Sequence, residues 1–252
     1  MSTSAILERM PYLEAVAPAF PCEVRLNDVP LYRFDGQNPY RVFVPAFAQL
    51  QRGQNLLELR FATAAPPGPE TAPLTARLAL FRDGEQAFVD GETLVALQLD
   101  GARLTVSGRL DSPVGVRELP WARLPIAGEA GAASLNPLLE RLRQALNAAD
   151  PEPILAAAEP RVRHMAEAFV RGPGEVRAGM AQAIAELSPV PTAAADQPPP
   201  PPARLLQVAY GRLVEPLGPD GQPWLRRPRA DGTVFFYPVL MGQADGAWRI
   251  FL

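Results

Sequence analysis

Between residues 23 and 126 apolar and polar side chains alternate in short runs, and turn-forming residues end each run after a few positions. A period of two puts alternate side chains on opposite faces of an extended chain, so these runs read as half-covered strands. Leu57, Leu59 and Phe61 share one face while Glu58 and Arg60 share the other, and Val95, Leu97 and Leu99 repeat the pattern. The predicted strands are 23–26, 29–34, 40–47, 55–62, 74–82, 86–89, 93–99, 102–109 and 115–124. Asp83-Gly84 and Asp100-Gly101 are hairpin signals, because both turn positions favour positive φ. Asp35-Gly36-Gln37-Asn38 and Arg52-Gly53-Gln54-Asn55 make longer turns, and Ala65-Pro66-Pro67-Gly68-Pro69 is a loop. Many short strands joined by tight turns predict an antiparallel sandwich or barrel, of which the sandwich is taken here.

On both sides of this stretch the period becomes helical. Ile6, Leu7, Met10, Leu13 and Val16 predict a short amphipathic helix within residues 1–20, limited by Pro11. Ser134 is placed to cap a helix whose stripe is Leu135, Leu138, Leu139, Leu142 and Leu146. Asp150-Pro151 starts a second helix, in which Pro160 predicts a break near Ala158–Glu159. A third helix is predicted over 173–187, and the five consecutive prolines within 188–203 predict an extended polyproline spacer. Strands are predicted again at 204–215, 223–227, 233–242 and 246–252. The fold class expected is α+β. An N-terminal antiparallel β-sandwich with a short leading helix covers 1–127. A domain of three helices packed on an antiparallel sheet covers 134–252 and contains the polyproline segment.

Composition narrows the chemistry. All 24 basic residues are arginine, and the chain has one histidine and one cysteine. Without lysine there is no Schiff-base or phosphate-loop lysine, and one His164 cannot build a multi-histidine metal site. Cys22 alone forms no intrachain disulfide and no paired-cysteine motif. No cofactor, no metal site and no catalytic residue is expected. The net charge of −3 gives no concentrated positive surface for nucleic acid. Glu8, Arg9 and Glu14 interrupt the apolar residues of the N-terminus, and no run approaches a membrane span, so a cytoplasmic protein without membrane contact is expected.

Three places carry candidate function. Asp83, Glu85, Asp90 and Glu92 cluster in RDGEQAFVDGE, as an acidic patch that covers a basic partner, as a carboxylate-only metal site whose spacing does not match a calcium loop, or as polar hairpin ends. Arg226-Arg227-Pro228-Arg229 is the dense basic run, which contacts phosphate or an acidic partner or serves solubility, and Trp224 beside Pro223 is the expected aromatic anchor for a partner. Trp248 is expected in the core. His164 reads as a general base flanked by arginines or as a solvated helix edge.

Short motifs add resemblances. Asp245-Gly246-Ala247-Trp248-Arg249-Ile250, at the end of the last predicted hairpin, resembles the final strand of cystatin-like and NTF2-like domains. That resemblance implies a curved sheet with helices on it, which serves enzymes and pure binding modules alike. Val24-Arg25-Leu26-Asn27-Asp28-Val29-Pro30, with Leu50-Gln51-Arg52-Gly53-Gln54-Asn55-Leu56-Leu57-Glu58-Leu59, looks like part of a jelly-roll sandwich of the carbohydrate-binding-module type. In its overall make-up, the chain also resembles bacterial toxin-immunity proteins, including those directed at toxins delivered by type VI secretion. This implies a non-catalytic protein whose partner is a cognate toxin, such as a nuclease, neutralised by occlusion. The alternatives are a small-ligand or carbohydrate-binding protein, and an NTF2-like enzyme built on His164.

Overall fold

The alternating runs close into two antiparallel sheets around one apolar core. In the computed structural model of the protein, residues 9–127, 129–187, 202, 204–229 and 233–252 are described. The chain divides into two compact units, Met1–Leu119 and Pro120–Leu252, and its fold class is α+β with antiparallel sheets.

In the first unit, strands β1 (Met10–Ala17), β4 (Tyr40–Pro45), β6 (Leu74–Phe81) and β7 (Glu92–Leu99) form one sheet in the order β4-β1-β6-β7. Strands β2 (Cys22–Leu26), β3 (Val29–Phe34), β5 (Gly53–Phe61) and β8 (Thr105–Ser112) form the other, in the order β3-β2-β5-β8. Leu13, Ala15, Ala76 and Leu78 from the first sheet and Val24, Leu26, Leu57 and Leu59 from the second belong to one buried cluster, as a sandwich requires. Asn27 and Asp28 join β2 to β3 with φ of 54° and 61°, the paired positive values of a two-residue hairpin turn.

Asn27 does more than turn. Its Nδ2 donates to the Gln49 carbonyl and to Asn55 Oδ1, each at 2.8 Å, and its Oδ1 accepts from the Leu56 N–H at 3.0 Å. Asn55 in turn accepts from the Gln51 N–H and donates to the carbonyls of Gln51 and Gly53. Both asparagines are buried. The jelly-roll-like motif therefore acts as a polar lock that satisfies the backbone of two turns at once.

Three expectations for this unit are corrected. Residues 10–17 are a strand rather than part of a helix: Pro11, Leu13, Ala15 and Ala17 are buried on the inner face and alternate with the outward Tyr12, Glu14 and Val16, of which Glu14 is buried as well. Residues 1–8 of that predicted helix lie outside the described residues. Residues 86–89 form a turn, and 115–124 are turns whose apolar residues Val116, Leu119 and Trp121 are nonetheless buried.

In the second unit four helices stand among the described residues: α1 (Glu129–Ala148), α2 (Pro151–Ala157), α3 (Glu159–Ala168) and α4 (Pro173–Ala185). The expected second helix breaks at Ala158, so three helices become four, and Pro160 falls in the first turn of α3, where a missing N–H costs nothing. Asp150 caps α2 as expected, accepting from the Glu152 N–H at 3.1 Å. Ser134 is not a cap: α1 starts before it, and its Oγ accepts from Trp248 Nε1 at 2.9 Å.

Strands β9 (Arg204–Val208), β10 (Leu213–Leu217), β13 (Met241–Ala244) and β14 (Ala247–Ile250) form a sheet in the order β14-β13-β10-β9. Strands β11 (Arg226–Pro228) and β12 (Val234–Phe236) pair separately. The single predicted strand 204–215 is a hairpin, turned through Ala209, Tyr210 and Gly211 at positive φ. Leu135, Leu139, Leu142 and Leu146 of α1 pack with Ile154, Val214, Met241, Trp248 and Ile250. The polyproline segment 188–203 lies outside the described residues, except Pro202.

Candidate functional site: a loop and cleft on the first sheet

Because Leu13, Ala15 and Ala76 point into the core, their neighbours along β1 and β6 point out. Register then sets two rows on the outer face. Phe43, Glu14, Arg77 and Ala96 form one across β4, β1, β6 and β7, and Arg41, Val16, Thr75 and Gln98 form the next. An outward carboxylate would ordinarily be solvated, yet Glu14 is only 3% exposed. The cover is the loop 82–91, between β6 and β7.

Arg77 Nε donates to Glu14 Oε2 at 2.5 Å, and the Phe88 backbone N–H donates to Glu14 Oε1. Arg77 Nη2 also donates to the Asp90 carbonyl at 2.6 Å. The buried pair therefore clamps the loop to the sheet from two sides, with charge-assisted bonds. Within the loop, Glu85 accepts from the Arg82 N–H at 2.8 Å and Asp90 from the Gln86 N–H at 2.9 Å. Gly91, at φ +87°, lies so close to the Phe81 ring that a Cβ there would meet it at 2.8 Å.

The clamp holds Phe88 at φ +63° and leaves it 39% exposed, next to Val89 at 70%. The Arg41 guanidinium lies over the Phe88 ring, 5.8 Å from its centre. Alongside, Tyr12, Phe43 and Phe81 pack as an outer aromatic cluster, with Tyr12 stacked on Phe43 at 4.2 Å. Between the loop and the strands lies an open cleft of about 350 Å³, lined by Glu14, Val16, Thr75, Arg77, Phe88 and Gln98.

The four acidic residues singled out in the sequence thus share one loop region with different tasks. Glu85 and Asp90 hold the loop's own N–H groups, Glu92 pairs with Arg9, and Asp83 is exposed at the turn. Phe88 and Val89 were hidden in what read as strand 86–89. The signal that finds them is an apolar pair set inside an acidic run.

The other predicted site does not assemble. Trp224 is 6% exposed and belongs to the core of the second unit, which corrects its reading as a surface anchor. Arg227 is 3% exposed and donates to the Leu146 carbonyl at 2.9 Å, near the end of α1, where carbonyls lack helical partners. Burial, and then the nearby Arg229, push its guanidinium below its ordinary pKa. Arg226 pairs with Asp220, whose carboxyl the hydrogen bond from Arg226 holds below the usual range. Trp248 is buried in the core, as expected.

His164 is buried, not at a solvated edge, and meets the Trp121 ring edge-on at 5.4 Å. Cys22 is buried in the sandwich core; that burial, with the charge of Glu23 second, pushes its thiol up to about 12. On the outer face of the second sheet, buried Glu23 accepts from Arg25 Nε at 2.7 Å and Arg33 Nε at 3.3 Å, and Arg25 also reaches Asp28 at 2.7 Å. This cluster is paired internally and closes that face.

The space among Leu142, Leu146, Ile154, Leu225, Tyr237 and Ile250 in the second unit is apolar and has no room for a water molecule. Among the described residues no three His, Cys, Asp or Glu side chains gather to hold a metal, and no helix is long and apolar enough to cross a membrane. Comparison with family models, with curated proteins and with solved structures finds no match.

Proposed function

We propose that the chain is a non-catalytic, cytoplasmic protein-binding protein, an immunity protein that neutralises a cognate secreted antibacterial toxin by occluding it. Loop 82–91 is its docking element. The observation that carries this reading is the pairing of Phe88 and Val89, exposed at the tip of a loop that Glu14 and Arg77 clamp from beneath. Interface energy concentrates on a few apolar and aromatic anchors, and an anchor already held in its bound geometry loses little freedom on docking. Asp83, Glu85 and Asp90 within the loop and Glu92 at the start of β7 give this region negative charge, which suits a basic partner such as a nuclease groove and speeds encounter with it.

His164 supports binding over acid–base chemistry, since it is buried and meets the Trp121 ring edge-on. In this reading the second unit is an NTF2-like scaffold. Its support is the last strand, whose Trp248 packs in the core and reaches Ser134 on α1.

The test is a complex. The product of the neighbouring gene, mixed with this protein, is expected to co-elute with it, and co-expression is expected to rescue cells from that product. Val89→Asp and Asp83→Arg, both at exposed positions, are expected to weaken the complex by about tenfold or more without moving the melting temperature. Absence of a complex, or one indifferent to both substitutions, overturns the proposal.

A further inference from the structure

The loop tip faces outward, and the cleft beside it is a separate opportunity. Its volume of about 350 Å³ falls at the small end of the ~300–1,000 Å³ range of small-molecule sites. Its charge is simple. Arg77 is committed to Glu14 and to the Asp90 carbonyl, so that pair is neutral as a unit. Arg41 does not itself line the cleft, but it neighbours Val16 across β4 and β1, lies over the Phe88 ring that does, and pairs with no carboxylate among the described residues. One positive charge is therefore on offer, which suits a monoanion. A dianion would find no second uncommitted cation among the lining residues.

The rest of the row decides what the anion carries. From Arg41 the register runs through Val16 and Thr75 to Gln98, one residue per strand at about 4.8 Å intervals. Thr75 and Gln98 stand directly opposite one another, and each side chain both donates and accepts. Hydroxyl groups need that double capacity. Val16 and Ala96 are small and apolar and floor the cleft between the polar groups, which suits the C–H face of a compact ring.

We propose that this cleft binds a small hydroxylated monocarboxylate about the size of one sugar-acid ring. Its carboxylate meets the Arg41 guanidinium and its hydroxyls meet Thr75 and Gln98. Arginine favours a carboxylate here because its planar fork makes two parallel bonds. The cleft shares Phe88 with the docking loop, but Val89 and Asp83, whose substitutions test docking, do not line it.

Calorimetric or NMR titration of the full chain tests the proposal with four probes: glucuronate, gluconate, glucose and acetate. Glucuronate or gluconate is expected to bind with Kd of about 1 mM or tighter, with glucose and acetate each at least about tenfold weaker. Glucuronate ahead of gluconate assigns the ring form, and the reverse assigns the open chain; either supports the site. Arg41→Ala is expected to cost tenfold or more, Arg41→Lys to recover only part, and Thr75→Val or Gln98→Ala to cost about threefold each. The melting temperature is the control for folding in all four variants. No binding at 10 mM (~ten times the expected Kd), equal binding of glucose or of acetate, or binding unchanged in Arg41→Ala overturns the proposal. Failure here leaves the toxin complex and its Val89→Asp test untouched.

Discussion

In the first unit the buried charges lie on the outer faces of the sheets. Glu14 sits under loop 82–91, and Glu23 and Arg25 sit in their own ion-pair cluster. In the second unit buried Arg227 instead completes a helix end, donating to the Leu146 carbonyl, and the buried Trp248 ring reaches the exposed Ser134 on the flank of α1. The difference has a spatial consequence. A charge buried on an outer sheet face needs a cover, and a loop held over a flat sheet leaves a concave margin; the cleft lies along that margin. A helix end that is completed by a neighbouring side chain leaves no such margin, and the second core is correspondingly full.

The two units carry separate reporters for testing this contrast. Cys22 belongs to the first, and all three tryptophans belong to the second. The largest effect is expected from Glu14→Ala, which leaves Arg77 without its buried carboxylate and frees the Phe88 N–H. It is expected to destabilise the first unit by about 3–5 kcal/mol, read as faster thiol labelling of Cys22 in denaturant, with tryptophan fluorescence unmoved. A matching shift in fluorescence would make the units one cooperative block and break the comparison. Asn55→Ala is expected to cost about 2–3 kcal/mol in the same unit, because the Gln51 N–H and the Asn27 amide lose a buried partner.

Alkali acts in the same direction. Folding raises the Cys22 thiol from 9.0 to about 12, so the folded state holds this proton more tightly than the unfolded chain. Its contribution is fully present below pH 9.0 and is lost as pH rises toward 12, so denaturation midpoints of the first unit are expected to fall across that window and to fall less in Cys22→Ala, where only groups such as Tyr32, raised by burial, still act. The smallest effect is expected from Ser134→Ala: about 1 kcal/mol, since one neutral acceptor for Trp248 is lost, now seen in fluorescence and not in thiol labelling.

Much of the architecture was legible because it follows from local rules. Strands β5, β6 and β7 were readable from alternation, and the break at Ala158 from Pro160 two residues later. What misled was long-range pairing. Leu13 and Val16 stand three apart, as on a helix, but Glu14 between them is matched by Arg77, 63 positions on in the chain. No local window contains that partner. Trp224 read as exposed because Pro223 and glycines surround it in sequence, although the second core closes over it. The acidic run was visible as charge. That two of its members hold a loop in place, and that the apolar pair between them is what faces solvent, depends on the clamp beneath.

Phe88 occupies the left-handed region of backbone space, where an aromatic residue costs roughly 1–2 kcal/mol relative to its ordinary conformations and glycine costs almost nothing. Optimisation for stability alone would therefore remove the ring. Libraries of this loop sorted by thermal tolerance should drift toward glycine at that position, while libraries sorted by binding should retain the phenyl group. Under the docking role proposed for this loop, robustness and recognition would pull one codon in opposite directions.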